Sequence, residues 1–292
     1  MHLWHAILLG LIQGLTEFLP VSSTAHLTLA ENLLMGQSMP LAFDMLLHAG
    51  TLVALIVYFR REVGEVCRGI AGRSEEGRNL AILLLVAMIP TGILGLLTRH
   101  TKEIAKDHVW IFGACLLLTA WMLFTANEKA KKRQGRGLDK ATWKDAAWVG
   151  AIQGIGGGFG LSRSGSTLSV GVFSGLDLAP STRFSFLLGI PTIFAASVVE
   201  GGKLLKPLIL HKPLPQDLLI PTGGVSPLVA CLVGILVSAV SGYFAIGLLD
   251  RFTRKPRLNG FAFYCLCMGA FMLIYGTVGF EGFFGLSSMG HP

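Results

Sequence analysis

Charged side chains are scarce in this sequence of 292 residues, because Asp, Glu, Lys and Arg together make up only 14% of it. An average soluble domain has about 25%. A soluble globular domain of this composition would have too few charged groups to cover its surface, so that class is excluded. The sequence also lacks the G-x-x-x-x-G-K-[ST] motif of P-loop nucleotide sites and the H-E-x-x-H motif of zinc hydrolases.

Cysteine is also scarce, and its spacing indicates no metal site. The five residues lie mostly within apolar stretches: Cys67, Cys115, Cys231, Cys265 and Cys267. We interpret them as small buried apolar side chains. The N-terminal segment has no Lys or Arg ahead of its apolar run, and that run contains Gln13 and Glu17. A cleaved signal peptide is therefore not expected.

Long apolar runs are abundant, since 52% of the residues are hydrophobic. Several approach the ~20 residues that an α-helix needs to cross a bilayer. The clearest are 41–59, 80–98, 109–126, 184–199, 228–249 and 258–280. These runs predict an all-α polytopic membrane protein. The net charge of +7 is then not a nucleic-acid signature, and no nucleic acid is expected as a partner.

The basic residues lie in alternate connections between these runs. Segments 60–78, 127–147 and 250–258 carry five, seven and four Lys or Arg residues, whereas 99–108 and 203–226 carry three each. Cytoplasmic loops are enriched in Lys and Arg, so the first group is predicted to be cytoplasmic. Following the chain outward from these loops places both termini on the periplasmic or extracellular side.

The sequence also matches itself. The segment beginning at residue 10 aligns with one 140 residues later, and the identical pairs are Gly10/Gly150, Ile12/Ile152, Gln13/Gln153, Gly14/Gly154 and Ser22/Ser162. Two further matches follow in the same order, 84–97 with 236–249 and 120–124 with 270–274. Three matches in one order indicate an internal repeat.

Each half is predicted to contain one interrupted segment followed by three full spans. Because three is odd, the second half would be inverted relative to the first. The expected fold is therefore an inverted-topology repeat, in which each half has one re-entrant helix-turn-helix hairpin and three transmembrane helices. Residues 1–292 would form a single membrane domain, with repeat 1 at 1–127 and repeat 2 at 146–280.

The interrupted segments read QGLTEFLPVSSTAH at 13–26 and GGGFGLSRSGST at 156–167. Pro20 cannot continue a helix, so the first helix must end before it, with Leu19 extended. In the second segment the glycine-rich stretch 156–160 is expected to break the helix. The serines that follow each break are good N-caps. Both segments are therefore predicted to turn within the membrane, buried in protein or beside a water-filled cavity.

Polar residues of the two hairpins could form one anion site. Two converging helix N-termini offer amide donors and positive dipole ends, and Arg163 adds a cation suited to phosphate. Gln13 and Glu17 are four residues apart and share a helix face. Ser22 and Ser23 lie four and three residues before His26, which would bring them to the same face of a helix. This set of carboxylate, hydroxyl, imidazole and guanidinium suits transfer or hydrolysis of a phosphate ester.

The two segments also resemble the motifs of a known family, the undecaprenyl-diphosphatases, also called bacitracin-resistance proteins. Its first motif, (E/Q)-x-x-x-E followed by P-V-S-S-T-x-H, here runs from Gln13 to His26. Its second, P-G-x-S-R-S-x-x-T, here reads FGLSRSGST from Phe159 to Thr167. The similarity covers nearly the whole chain, including FSFLLGIP at 184–191. Gln13 is the permitted alternative to glutamate, so Glu17 should be the essential carboxylate, and Phe159 replaces the proline.

The resemblance implies an integral membrane enzyme of the bacterial inner membrane that hydrolyses undecaprenyl diphosphate to undecaprenyl phosphate and phosphate. This reaction recycles the lipid carrier for peptidoglycan synthesis and confers bacitracin resistance. The implied cofactor is a divalent cation, Mg²⁺ or Ca²⁺, held by Glu17 and the diphosphate. The site would open to the periplasmic face, among membrane lipid. Association into a homodimer stays open.

The expected site residues fall into three groups. The catalytic candidates are Glu17, Ser23, His26 and Arg163; the phosphate-binding candidates are Ser22, Thr24, Ser162, Ser164 and Thr167; Gln13 supports Glu17. The nucleophile is Ser23, His26 or a water. Asp44, His48 and Arg183 lie at span edges and are interpreted as structural or supporting residues.

Two other functions would use similar features. A transporter of a lipid phosphate or another anion can also have inverted repeats with broken helices near the midplane. A transporter does not require the cluster of serine, histidine and glutamate, and a non-catalytic membrane receptor would not depend on Ser23. No Arg-Pro dipeptide occurs, which removes a core element of the type 2 phosphatidic acid phosphatase signature. Hydrolysis of undecaprenyl diphosphate is therefore ranked first.

Overall fold

The computed structural model describes residues 2–35, 41–98, 101, 108–209 and 226–283. In these ranges the regular backbone is helical, so the predicted all-α class is confirmed for them. The α-helices are α1 (Leu3–Phe18), α2 (Ser23–Met35), α3 (Leu41–Tyr58), α4 (Arg60–Ile70), α5 (Glu75–Leu97), α6 (Val109–Lys132), α7 (Trp143–Phe159), α8 (Arg163–Phe173), α9 (Leu178–Ile209), α10 (Pro227–Thr253) and α11 (Asn259–Phe283).

Five of the described helices are long and apolar enough to cross a membrane, namely α5, α6, α9, α10 and α11. A sixth span exists if α3 and α4 count as one span bent by 80°. The bend lies where the apolar run of α3 gives way to Arg60 and Arg61, whose charges favour water over lipid. A multi-pass membrane protein is therefore confirmed. The predicted connections 99–108 and 203–226 lie largely outside the described residues.

Long helices of one half hold the hairpin helices of the other. α1 packs against α10, and α7 packs against α5. Glycines allow these close approaches: a Cβ at Gly14 would lie 2.5 Å from the carbonyl oxygen of Ser238, and a Cβ at Gly150 would lie 2.0 Å from that of Ala87. α6 and α11 pack against each other as a third pair. The hairpins are thus fixed between helices distant in sequence.

The connection between α6 and α7 anchors the second hairpin at its open end. The backbone of Arg136 donates to Gly175 O and accepts from Asp177 N, each at 2.9 Å. The Arg136 guanidinium donates to Asp145 at 3.0 Å, and Asp145 forms a capping box with Thr142 at the start of α7. One arginine therefore ties the entry of this hairpin to its exit.

Candidate active site

The first hairpin turns at Pro20, as the sequence predicts. α1 ends at Phe18, and Leu19 is extended with φ −65° and ψ 143°. Ser22 has φ +70°, a left-handed conformation that is uncommon for a residue with a side chain. Such a residue persists only when its surroundings hold it. Here its hydroxyl donates to Gly160 O, in the other hairpin, at 2.7 Å.

The second hairpin turns at a single residue of the glycine-rich stretch. α7 continues through Gly156–Gly158 to Phe159, and only Gly160, at φ +79°, ends the helix. Gly158 instead serves helix packing, because a Cβ there would lie 2.5 Å from the backbone oxygen of Thr98. The expected break therefore occurs within the stretch 156–160, at its last residue. The positive φ at one residue is sufficient.

Serine hydroxyls tie the two turns together in both directions. Ser22 of the first turn donates to Gly160 O of the second. Ser164, one residue into α8, donates to Leu19 O of the first turn at 3.1 Å. Each turn thus satisfies a carbonyl group of the other, as buried polar groups require. The two helix N-termini that begin α2 and α8 are consequently held at one place.

Cysteine thiols also donate to both turns. Cys265 Sγ lies 3.1 Å from Pro20 O, and Cys115 Sγ lies 3.1 Å from Phe159 O. A thiol is a weak donor, yet here it meets carbonyl groups that have left their helix. The predicted burial is correct for Cys115, Cys231 and Cys265, and it is wrong for the exposed Cys67 and Cys267.

Most of the predicted phosphate-binding hydroxyls shape the loops. Ser162 caps α8 by accepting a backbone amide at 3.2 Å. Thr167 Oγ1 lies 2.6 Å from Arg163 O and 2.5 Å from Ser185 Oγ. Thr24 is half-buried, and its hydroxyl has no hydrogen-bond partner within the described part of the chain. Backbone amides and Arg163 are therefore better placed to receive an anion than the hydroxyls of Ser162 and Thr167, which already make hydrogen bonds.

Glu17 lies at the centre of the predicted site and is only 8% exposed. Its Oε2 accepts from Ser23 Oγ at 2.7 Å and from Gln13 Nε2 at 3.2 Å. Its Oε1 accepts from Arg163 Nη2 at 3.0 Å. A buried carboxylate needs such donors and a counter-charge. The structure thus joins a hydroxyl and a carboxylate of the first hairpin to a guanidinium of the second.

Arg163 retains capacity for a further anion. Its guanidinium fits beside Gly189, where a Cβ would lie 2.5 Å from Nη1. Its Nε is buried without a hydrogen-bond partner in the described ranges. Arg163 is also the first residue of α8, so its charge adds to the positive end of the helix dipole. The Glu17 carboxylate balances the charge of this guanidinium, so the backbone amides at the N-termini of α2 and α8 supply the remaining positive potential for a phosphate.

His26 is engaged away from Ser23. Its Nδ1 lies 2.8 Å from Ser22 O, and because a carbonyl only accepts, Nδ1 carries the hydrogen. Nε2 of the neutral ring then accepts from the Tyr264 hydroxyl at 2.6 Å. Among the described residues, His26 makes no hydrogen bond to Ser23. The pairing that the sequence suggested for these two side chains is therefore not formed here.

His48, interpreted from sequence as structural or supporting, reaches the carboxylate at the centre. It lies on α3, its Nδ1 donates to Asp44 O at 2.8 Å, and its Nε2 is 3.8 Å from Glu17 Oε2. The sequence signal for this contact is weak, because a single imidazole on an apolar helix has no motif around it. Only the packing of α3 against α1 brings His48 and Glu17 together.

The donor set can be tested against the divalent cation that the resemblance implies. In the described ranges, no group of three or more His, Cys, Asp or Glu side chains could hold a metal ion. Glu17 supplies one carboxylate, and Gln13 Oε1 is buried without a hydrogen-bond partner among those same residues. Carboxylate and amide oxygens suit Mg²⁺ or Ca²⁺, and phosphate oxygens and water commonly supply the remaining ligands. The residues present therefore fit a cation shared with a diphosphate.

Comparison with known families extends the resemblance over the chain. A family model described as "Bacitracin resistance protein BacA" matches residues 6–271, which include both motif segments. A protein of Desulfosudis oleivorans is 37% identical over 288 residues, covering 92% of this chain and 97% of its own. One of Syntrophotalea carbinolica is 38% identical over 269 residues, covering 91% and 95%. One of Halothermothrix orenii is 35% identical over 278 residues, covering 95% and 100%. All three carry the name undecaprenyl-diphosphatase.

Proposed function

The chain belongs to the bacitracin resistance protein family, and from this membership we propose that it hydrolyses undecaprenyl diphosphate to undecaprenyl phosphate and inorganic phosphate. The observation that carries the proposal is the contact of Ser23, Glu17 and Arg163. These residues bring a hydroxyl, a carboxylate and a phosphate-binding guanidinium to one buried place. In the cell this reaction would recycle the lipid carrier of peptidoglycan synthesis and remove the diphosphate lipid that bacitracin sequesters.

Ser23 is the proposed nucleophile. Its hydroxyl donates to Glu17 Oε2 at 2.7 Å, so Glu17 can accept the proton while Ser23 Oγ bonds to the terminal phosphorus. The bond from that phosphorus to the bridging oxygen breaks, and undecaprenyl phosphate leaves with the proton returned by Glu17. Water then attacks the phosphoserine, and Glu17 transfers one hydrogen of that water to Ser23 Oγ. Phosphate is released and the side chains return to their starting state.

Arg163 and the start of α8 hold the phosphates in this proposal. The guanidinium already contacts Glu17, so it bridges the base and the anion. A forked cation matches phosphate oxygens in geometry as well as charge. Stabilisation of charge that develops on those oxygens is commonly the largest single catalytic effect.

A divalent cation would be held by Glu17 and Gln13 together with the diphosphate. When bound, it would neutralise charge on the phosphate oxygens and favour departure of the lipid phosphate. Mg²⁺ and Ca²⁺ are the candidates from the carboxylate and amide donors.

We assign His26 a positioning role and not a catalytic one, because its ring bridges Ser22 O and the Tyr264 hydroxyl.

We further infer that the chain is an inverted repeat. α2 begins at Ser23 and α8 begins at Arg163, 140 residues later, which is the separation of the matching sequence pairs. Cys115 and Cys265, which lie 150 residues apart, each donate to the hairpin turn of the opposite half. The helix pairs α1/α10 and α7/α5 exchange partners between the halves in the same way. These relations support the proposed repeats and their hairpins.

The proposed orientation puts both termini and the site opening on the outer face of the inner membrane. The segments richest in Lys and Arg would be cytoplasmic. An aromatic layer is formed by Phe18, which follows Glu17, by Phe59, which precedes α4, and by Phe186, which contacts both rings at 5.8 Å between ring centres. All three side chains are at most 2% exposed. This layer supports access from the outer side, where the diphosphate is left after glycan transfer.

Transport of a lipid phosphate is the second candidate function. It would require a path past Phe18, Phe59 and Phe186, which belong to one buried apolar cluster. The hydrogen bond between Ser23 and Glu17 favours hydrolysis, since a carrier needs no activated hydroxyl.

The test uses the full chain purified in detergent and undecaprenyl diphosphate labelled in its terminal phosphate. We expect phosphate release that EDTA suppresses and that Ser23→Ala abolishes. Acid quenching should trap label on Ser23 of the wild-type protein. Release by Ser23→Ala at the wild-type rate would contradict the serine mechanism. Absence of any release, with movement of labelled lipid in proteoliposomes, would favour the transporter.

A further inference from the structure

Two histidines are close to the turn of the first hairpin, and their surroundings differ in one respect. In each ring Nδ1 faces the carbonyl oxygen four residues earlier, at 2.8 Å in both cases: Ser22 O for His26 and Asp44 O for His48. A carbonyl oxygen only accepts, so both neutral rings carry hydrogen on Nδ1 and a lone pair on Nε2. For His26 that lone pair receives the Tyr264 hydroxyl at 2.6 Å.

The corresponding lone pair of His48 faces another acceptor. Its Nε2 lies 3.8 Å from Glu17 Oε2, which is longer than a hydrogen bond. An imidazole lone pair and a carboxylate oxygen repel each other unless a proton or a metal ion lies between them. Metal-binding histidines commonly have this arrangement, with the other ring nitrogen donating to a backbone carbonyl. The contact of His48 with Asp44 O thus fixes the tautomer that a metal ligand requires.

A third donor lies beside this pair. Gln13 Nε2 donates to Glu17 Oε2 at 3.2 Å, and Gln13 Oε1 is buried with no hydrogen-bond partner in the described part of the chain. Metal–ligand distances for nitrogen and oxygen are about 2.0–2.5 Å. Twice such a distance spans the 3.8 Å between His48 Nε2 and Glu17 Oε2. One ion can therefore touch both atoms, and the side chain of His48 is only partly covered by protein, at 32% exposure.

We propose that His48 Nε2, Glu17 Oε2 and Gln13 Oε1 form a mixed nitrogen and oxygen site for a divalent cation, and that the nitrogen makes the site prefer Mn²⁺ to Ca²⁺. Imidazole suits first-row transition ions, whereas Ca²⁺ takes oxygen ligands almost entirely. The inference rests on the proposed function, because it identifies the cation of that same site. The remaining ligands are substrate phosphate oxygens and water.

The experiment measures metal binding to the full chain in detergent, without substrate. Mn²⁺ binding is followed by electron paramagnetic resonance, and electron spin echo modulation reports a coordinated ¹⁴N. We expect one ¹⁴N-coupled Mn²⁺ in the wild-type protein. His48→Gln should lose the ¹⁴N coupling and weaken Mn²⁺ binding about tenfold. Its affinity for Ca²⁺, measured by competition, should stay the same or rise, because an amide oxygen replaces the nitrogen.

His26→Gln is the matched control, since it removes the other histidine of the hairpin region and should retain the ¹⁴N coupling. Thermal unfolding of each variant without metal shows whether it is folded. A folded His48→Gln with unchanged coupling and Mn²⁺ affinity would overturn the proposal. Coupling lost in His26→Gln and kept in His48→Gln would do so as well. If phosphate release persists in either case, the proposed hydrolysis stands while the cation site fails.

Discussion

The two hairpins have the same backbone plan and divide the chemistry between them. α2 and α8 begin at matching positions, occupied by Ser23 in the first copy and Arg163 in the second. Glu17 of the first copy corresponds to Gly157 of the second, by the same separation of 140 residues. The first hairpin therefore supplies the hydroxyl and carboxylate groups, and the second supplies the guanidinium group of Arg163. Neither hairpin contains a complete site.

The shared glutamine shows how the same residue serves different ends. Gln13 donates to the carboxylate of Glu17. Gln153 instead donates to the hydroxyls of Thr192 at 2.9 Å and Thr91 at 3.3 Å, which belong to neighbouring helices. In the first hairpin the glutamine amide donates to a charged group, and in the second it connects neighbouring helices by hydrogen bonds. A repeat in sequence therefore predicts the backbone better than it predicts the role of a side chain.

The largest difference in activity is expected between variants at the two matched positions 17 and 157. Glu17→Gln removes the proposed base, and we expect kcat for phosphate release to fall about 10³-fold. Gly157→Ala is the control in the other hairpin, because a Cβ there would meet nothing within 4 Å. It should retain nearly full activity. Equal activity of the two variants, both folded by thermal unfolding, would contradict the asymmetry.

Next in size is the effect of Arg163. Arg163→Ala leaves Glu17 without its counter-charge and removes the phosphate clamp, so kcat/KM should fall about 10²-fold. Arg163→Lys keeps the charge but loses the fork, and we expect intermediate activity. A lysine variant as weak as the alanine variant would show that fork geometry, and not charge, is essential. Wild-type activity of Arg163→Ala would remove this residue from the site.

Alanine substitution of the packing glycines should destabilise the first half more at one matched pair and the second half more at the other. A Cβ at Gly14 would approach backbone oxygen to 2.5 Å, against 2.8 Å at Gly154. The order is reversed at the other pair, with 2.0 Å at Gly150 and 2.9 Å at Gly10. We expect Gly14→Ala and Gly150→Ala to lose about 1–3 kcal/mol of stability, and their counterparts less. Thermal unfolding in detergent measures this, and the same order at both pairs would contradict the packing.

The smallest effect should come from the two thiols that donate to the turns. Cys115→Ala and Cys265→Ala each leave a turn carbonyl without its donor, at a cost of about 1 kcal/mol. The serine variants restore a donor and should recover the loss. Because the turns correspond, we expect similar shifts in thermal unfolding at both sites. Alanine and serine variants with identical unfolding would show that the thiols only fill space.

Local rules predicted the first hairpin well. Pro20 ended α1 and forced Leu19 to be extended, because both effects act between neighbours in sequence. Sequence could not decide where the second helix breaks, since Gly156–Gly158 and Gly160 all permit a break, whereas in the structure only Gly160 has a positive φ and Gly158 packs closely on Thr98. Glycine widens the choice of conformations without selecting one.

Side-chain partners were harder to predict than backbone. Helical spacing grouped Ser23 with His26, but the turn at Pro20 folds α2 back so that Ser23 contacts Glu17 instead. The contact of His48 with Glu17 depends on the approach of α3 to α1 and leaves no local signal in the sequence. The sequence predicted only that Arg163 and Glu17 belong to one site. Their 3.0 Å contact depends on the hydrogen bonds that join the two turns.

The hydrogen bond from Ser22 to Gly160 O cannot form until late in synthesis, because its partners are 138 residues apart. At about 5–20 residues per second, a ribosome needs roughly 7–28 seconds to make that stretch. Throughout this interval the first hairpin has already left the ribosome with its buried glutamate and its left-handed serine unsupported. The first hairpin must therefore be protected at the insertion machinery until the second hairpin has been synthesised. A truncated first half would be a substrate for quality control before it could be an enzyme.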